Sequence, residues 1–145
     1  MPFSQGHALL IGVGTYAHTP RLNVPITADD ARAVAQVLRD PSFCGYPEAQ
    51  VMLLQDERAT GAGILAALDE LVARAGPDDT VVLFYCGHGD FGDDGDYYLT
   101  SYETRIADKK VVGGTGVSQK TLLAKLKALR ARRVLVIFNA CHSGA

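Results

Sequence analysis

Residues 134 to 145 read VLVIFNACHSGA, five apolar residues rich in β-branched types followed by small and polar ones. A run of that kind fits a strand buried on both faces and ending near Asn139, so the stretch predicts a parallel sheet of the α/β class. It also puts a thiol at the strand's carboxyl edge. In open α/β sheets ligands bind at that edge, so Cys141 stands where a nucleophile is useful. A lone cysteine after an apolar run is nevertheless more often packing than chemistry. A second stretch of the same design weighs the other way: TVVLFYCGHG, residues 80 to 89, ends its apolar run in His88 between two glycines. Two strand ends therefore offer a thiol and an imidazole.

The rest of the chain alternates strand and helix patterns around these two stretches. HALLIGV, residues 7 to 13, predicts a first, central strand that turns away at Gly14. Ala31, Val34, Ala35, Val37 and Leu38 mark one face of a helix whose first turn carries Asp29 and Asp30 and which Pro41 stops. VMLLQ, residues 51 to 55, predicts a short strand. Thr60 is the expected N-cap of a second helix with Ile64, Leu65, Leu68, Leu71 and Val72 inward, ended by Gly76-Pro77. After the strand at 80–86 come an acidic turn, DFGDDGD, and a short strand over Tyr97 to Thr100. Residues 104 to 117, TRIADKKVVGGTGV, combine basic residues with three glycines and read as an exposed, mobile loop open to cleavage. Ser118 caps a third helix with Leu122, Leu123, Leu126 and Leu129 inward and arginines at its carboxyl end. The expected fold is α/β: a mostly parallel sheet of about four core strands with helices on both faces, in one domain over residues 1–145.

Composition sets bounds on function. A chain of 145 residues is long enough for a full core without staples, and its 48% apolar and 21% charged content suits a globular protein. No run approaches the roughly 18 apolar residues of a membrane span, and the amino terminus lacks a signal-peptide pattern, so the expected location is the cytoplasm. Three widely spaced cysteines, Cys44, Cys86 and Cys141, argue for reduced thiols and spell no zinc site. Residues 1–104 hold 15 acidic and 5 basic side chains, and residues 105–145 hold 1 and 9. The basic half lacks the interleaved aromatic residues of a nucleic-acid binder, so no nucleic-acid partner is expected.

A cysteine hydrolase needs a thiolate, an imidazole to move protons, and backbone N–H groups aimed at the developing oxyanion. If the strands at 80–86 and 134–138 are neighbours, His88 and Cys141 share an edge, and the imidazole lowers the thiol pKa from its ordinary value of about 8.5. The N–H groups of Gly89 and Cys141 are then candidate oxyanion donors. Only four residues follow Cys141, so the base precedes the nucleophile, unlike the α/β-hydrolase order.

At these residues a family resemblance becomes specific. YCGHG at 85–89 and NACHSG at 139–144 resemble the two signature motifs of the metacaspases and prokaryotic caspase-like proteases (orthocaspases). HALLIGVGTY at 7–16 and LNVPITADDA at 22–31 resemble that family's opening strand and the entry to its first helix. The resemblance implies a caspase-like three-layer sandwich and a cysteine endopeptidase, with His88 as general base and acid, Cys141 as nucleophile, and Gly89 with Cys141 as oxyanion donors. It implies a specificity pocket at Asp30, Asn139, Cys86 and Thr27. Asp30 keeps the family's acid, whereas Asn139 stands where the relatives that cut after Arg or Lys carry a second Asp. Cleavage of a protein or peptide substrate after Arg or Lys is thus expected, with self-cutting at Arg105, Lys109 or Lys110.

The resemblance further implies that these residues are the large-subunit portion, and that the sheet continues into a small-subunit remainder of the same precursor; a second copy as partner stays open. No cofactor is expected. Asp90, Asp93, Asp94 and Asp96 offer oxygens of the type calcium takes, as some metacaspases require, but the spacing is not that of an EF-hand and a solvated loop is the preferred reading. A catalytically silent adaptor of the same fold and a separase-like protease with another specificity stay open. A receiver-like or nucleotide-binding domain is disfavoured, because no glycine-rich phosphate loop is present.

Overall fold

The computed structural model describes the backbone of residues 2–141 and the side chains of residues 2–140. Its centre is a parallel four-strand sheet. Strand β1 (Gly6–Gly12) lies between β2 (Val51–Gln55) and β3 (Thr80–Phe91), and β8 (Arg133–Cys141) pairs with the other side of β3, giving the order β2-β1-β3-β8. Three helices connect them: α1 (Ile26–Arg39), α2 (Gly61–Arg74) and α3 (Gln119–Lys127). On one face Ala31, Ala35 and Leu38 of α1 pack against Ala8, Leu10, Val82 and Phe84. On the other, Ile64, Leu68 and Leu71 of α2 and Leu122 of α3 pack against Leu9, Ile11, Val81, Leu83 and Tyr85. Alternate residues of β1 and β3 thus feed two separate cores, which is why both strands read as unbroken apolar runs.

Local signals act as expected at the helix starts. Thr60 accepts a hydrogen bond from the Gly63 N–H and Ser118 from the Thr121 N–H, so both helices begin at the predicted caps. Helix α1 begins at Ile26, earlier than expected, so Asp29 closes the first turn and Asp30 lies just beyond it. Val37 and Leu123, expected inward, are exposed.

Two larger expectations are corrected. Residues 104–117 are ordered by pairing: β5 (Ile106–Ala107) and β6 (Lys110–Val111) form a hairpin whose tip residues, Asp108 and Lys109, both have positive φ, and β7 (Gly116–Ser118) joins β4 (Tyr97–Thr100). Positive φ at both central residues is the type I′ geometry that matches strand twist. Second, β8 is not buried on both faces. Val134, Leu135, Ile137 and Phe138 are 41, 54, 39 and 46% exposed, because β8 is the margin of the described sheet and no described helix covers its outer half.

Strand β3 is the element that makes a site possible. Through His88 it runs parallel beside β8, and from Gly89 to Phe91 it pairs antiparallel with β4. The sheet also changes winding direction between β1 and β3, so the carboxyl ends of those two strands flank the crevice where such folds bind ligands.

Candidate active site

The parallel register pairs Cys86 with Asn139, Gly87 with Ala140 and His88 with Cys141. The two stretches singled out from sequence are therefore side by side, with the imidazole-bearing and thiol-bearing residues as direct cross-strand neighbours. The Cys141 side chain, and residues His142 to Ala145 with it, lie outside the described residues.

His88 is half-buried, and its ring is fixed at one nitrogen. Nε2 lies 2.8 Å from the Leu22 carbonyl oxygen. A carbonyl oxygen only accepts, so Nε2 carries the proton and Nδ1 of the neutral ring holds the lone pair. Nδ1 is buried and has no hydrogen-bond partner among the described residues. A base needs that arrangement: one nitrogen anchored, the other unprotonated and unspent. Leu22 was not legible as a site residue, since its contribution is a main-chain atom in a short 3-10 turn (Pro20–Leu22) that any side chain would permit.

The glycines around His88 have a packing reason. A Cβ on Gly87 would fall 2.5 Å from the Tyr85 hydroxyl oxygen, and one on Gly89 would collide with the Tyr97 hydroxyl. The direction of the Gly89 N–H follows from the β3–β4 ladder. Gly92 N–H donates to the Asp96 carbonyl, and antiparallel pairs alternate, so the Gly89 N–H points away from β4 and toward the β8 side.

The residues expected to form a specificity pocket meet in part. Asn139 Nδ2 donates to Cys86 Sγ at 3.5 Å, and Cys86 Sγ lies 4.0 Å from Asp30 Oδ2, so these three form one line across β8, β3 and α1. Thr27 stands apart from that line. Its hydroxyl donates to the Val24 carbonyl at 3.0 Å, closing the start of α1.

The acidic turn after β3 uses its carboxylates locally. Asp94 accepts from the Tyr98 hydroxyl at 2.5 Å and from the Asp96 N–H, and Asp93 accepts from the Gly113 N–H. The Tyr98 hydroxyl holds the Asp94 carboxyl below the usual carboxylate range. Among the described residues no group of three or more His, Cys, Asp or Glu side chains is placed to hold a metal ion, and no helix is long and apolar enough to cross a membrane.

Known proteins resemble this chain in fold and in sequence. A crystal structure of a protein from Geobacter sulfurreducens superposes with a TM-score of 0.74 at 22% identity, over 97% of this chain and 51% of that one, which is a likeness of fold. Metacaspase-1A of Aspergillus terreus and Metacaspase-1 of Eremothecium gossypii are each 30% identical over 95% of this chain. The chain spans only about a third of those relatives, 36% and 32% of their lengths. The caspase domain family matches residues 5–145, and so includes both motif-bearing strands. With the fold, the strand register and these matches in agreement, the chain belongs to the caspase-domain peptidase family, and it is similar in sequence to metacaspases.

Proposed function

We propose that residues 1–145 form the large-subunit portion of a cysteine endopeptidase that cuts protein or peptide substrates after Arg or Lys. The observation that carries this reading is the pairing of His88 with Cys141, together with an imidazole anchored through Nε2 whose Nδ1 has no hydrogen-bond partner among the described residues. His88 Nδ1 takes the Cys141 thiol proton, and the thiolate attacks the scissile carbonyl carbon. The Gly89 and Cys141 N–H groups stabilise the oxyanion. The tetrahedral adduct collapses as the Nδ1 proton passes to the leaving amine, leaving a thioester. A water then gives its proton to Nδ1 and its oxygen to the acyl carbon, and the thiol is restored. Through each step Leu22 holds Nε2–H, so one tautomer serves as base and then as acid.

Asp30 supplies the charge for a basic residue before the cut, with Cys86 and Asn139 lining the same place. Asn139 Nδ2 is turned to the Cys86 sulfur, which itself lies 4.0 Å from Asp30 Oδ2, so Asn139 Oδ1 is left as a neutral acceptor on the far side of the sulfur from the carboxylate. A desolvated carboxylate favours a guanidinium, which binds it with two hydrogen bonds, and repels an acidic substrate residue. The chain's own basic residues at the hairpin, Lys109 and Lys110, are exposed but held in a paired turn, so self-cutting there requires the hairpin to open.

The test combines labelling and specificity on the whole protein. A peptide electrophile carrying Arg should label Cys141 stoichiometrically, and His88→Ala should lose about 10²–10⁴-fold in rate. With fluorogenic peptides differing only in the residue before the cut, Asp30→Asn should lose about 30-fold to several thousandfold in kcat/KM for Arg, as for a broken buried charge pair of about 2–5 kcal/mol. Labelling that persists in His88→Ala, or no labelling at all, would favour a silent adaptor of the same fold. A wild-type preference for Asp or a large apolar residue would refute the pocket assignment alone.

A further inference from the structure

We propose that Tyr16 is a positioning residue for His88, acting with Thr100 through a buried hydroxyl cluster that holds the His88 main chain while its own ring backs the imidazole. The proposal rests on the reading of His88 as the catalytic base.

The cluster is built at one point. Thr100 Oγ1 lies 2.7 Å from the Tyr16 hydroxyl, 3.0 Å from the Tyr85 hydroxyl and 3.1 Å from the His88 carbonyl oxygen. The Tyr85 hydroxyl also reaches the His88 and Thr100 carbonyl oxygens, both at 2.8 Å. Carbonyls only accept, so the single Tyr85 hydroxyl proton is shared between the two carbonyls. With the Thr100 hydroxyl donating to the His88 carbonyl, the Tyr16 hydroxyl is the donor to Thr100 Oγ1, with the Val13 carbonyl at 3.4 Å as its other acceptor. All three side chains are buried. Phe and Val of the same shape would fill this space without burying a polar atom, so the hydroxyls are a net cost unless their bonds do something. What they share is the carbonyl of His88, at the position where β1 has ended, so no strand neighbour supplies a donor on that side.

Tyr16 also touches the second support of His88. Its N–H donates to Asn23 Oδ1 at 3.0 Å, next to Leu22, whose carbonyl anchors Nε2. Its ring lies 5.8 Å from the imidazole, tilted by 38°. One residue therefore serves both supports: its main-chain N–H holds the loop that fixes the imidazole, and its side chain backs the ring and joins the hydroxyls that fix the main chain. Tyr16 meets no reacting atom in this arrangement, and its effect passes through His88.

The experiment uses the whole protein with Tyr16→Phe, Thr100→Val and Thr100→Ser. Tyr16→Phe and Thr100→Val should each lower kcat about tenfold, the value of one directed hydrogen bond in a preorganised site, with KM changed less than twofold. Thr100→Ser, which keeps the hydroxyl, should recover most of the rate. Independently of turnover, nitrogen-15 spectra of the histidine rings in Cys141→Ala protein should show His88 as the Nε2–H tautomer, and Tyr16→Phe should add a visible share of the other. Wild-type kcat and an unchanged tautomer in Tyr16→Phe would overturn the proposal. If wild type neither hydrolyses peptides nor is labelled at Cys141, the protease reading fails by itself. The tautomer measurement then decides the positioning: a second tautomer in Tyr16→Phe supports it, and an unchanged spectrum overturns it.

Discussion

Tyr16 also has a consequence for stability that follows from burial alone. Desolvation pushes its hydroxyl pKa up to about 12, with the Thr100 bond opposing, while an unfolded tyrosine ionises near 10. The folded state therefore holds its proton over a range in which the unfolded chain has lost it. Below pH 10 the contribution is fully present; between pH 10 and 12 it is lost as the unfolded state ionises, by about 3 kcal/mol in all at 1.36 kcal/mol per pH unit. Tyr85 is shifted in the same direction by the same cause, so part of the fall belongs to it. Denaturant unfolding at pH 9 and pH 11.5 should show wild type losing more stability than Tyr16→Phe. Equal losses in the two proteins would mean that Tyr16 is not desolvated as described. The pairing of His88 with Cys141 was legible from sequence because each closes an apolar run of the same design, and such runs read as neighbouring strands of one parallel sheet. Leu22 and Thr100 were not, since a main-chain carbonyl has no side-chain signature and a threonine ending a short strand is ordinary β composition.

At the scale of elements, the closeness of α1 to β1 is what brings Asp30 over the end of β3. It depends on Gly12. A Cβ there would lie 2.7 Å from the Thr27 carbonyl oxygen and 2.8 Å from the Ala28 Cα, both in the first turn of α1, where a backbone cannot swing aside as a side chain can. Gly12→Ala should push the helix start outward at a cost of about 1–3 kcal/mol, lowering the Tm by several degrees. Because Asp30 sits just past that turn, the proposed preference for Arg over neutral residues should weaken with it. An unchanged Tm would show that α1 yields freely. The capped helices α2 and α3 were legible because Thr60 and Ser118 carry their own start signals. The hairpin was not: Lys109 at positive φ breaks the usual preference for Gly or Asn there, so its sequence looks like an unstructured basic loop. The burial of β8 was misjudged for a different reason. An apolar run reports what a strand must eventually hide, not which part of the protein hides it.

That difference matters for the whole molecule. Leu135 and Ile137 pair with Val82 and Phe84 on the α1 face, and Val134 and Phe138 pair with Val81 and Tyr85 on the other, so β8 exposes apolar side chains in both directions. Beside Phe138 and Ala140 the exposure continues into an apolar groove of about 280 Å³ walled by Leu122, Leu123 and Leu126 of α3. Covering four side chains that are already about half-buried gains roughly 1 kcal/mol each, so about 4 kcal/mol together. A second copy paired through the same patch would cover four on each side, about 8 kcal/mol gross, which an association cost of about 4–15 kcal/mol largely cancels, leaving little to hold the pair at micromolar concentration. A segment of the same chain escapes the cost of association and meets only loop closure, which grows slowly with length. On the large-subunit reading proposed above, the balance favours a small-subunit remainder over a homodimer as the cover of this edge. The expected outcome is that residues 1–145 alone are monomeric at low micromolar concentration and exchange the outward β8 amides rapidly. The same strand in a chain extended by the residues that follow in the precursor should be protected, and hydrolysis should be faster. Ile137→Lys should cost the short form about 1 kcal/mol, the share already buried, and the extended form at least about twice that. Equal exchange at β8 in both forms, or a tight dimer of the short form in sedimentation, would show that something other than the remainder covers this edge.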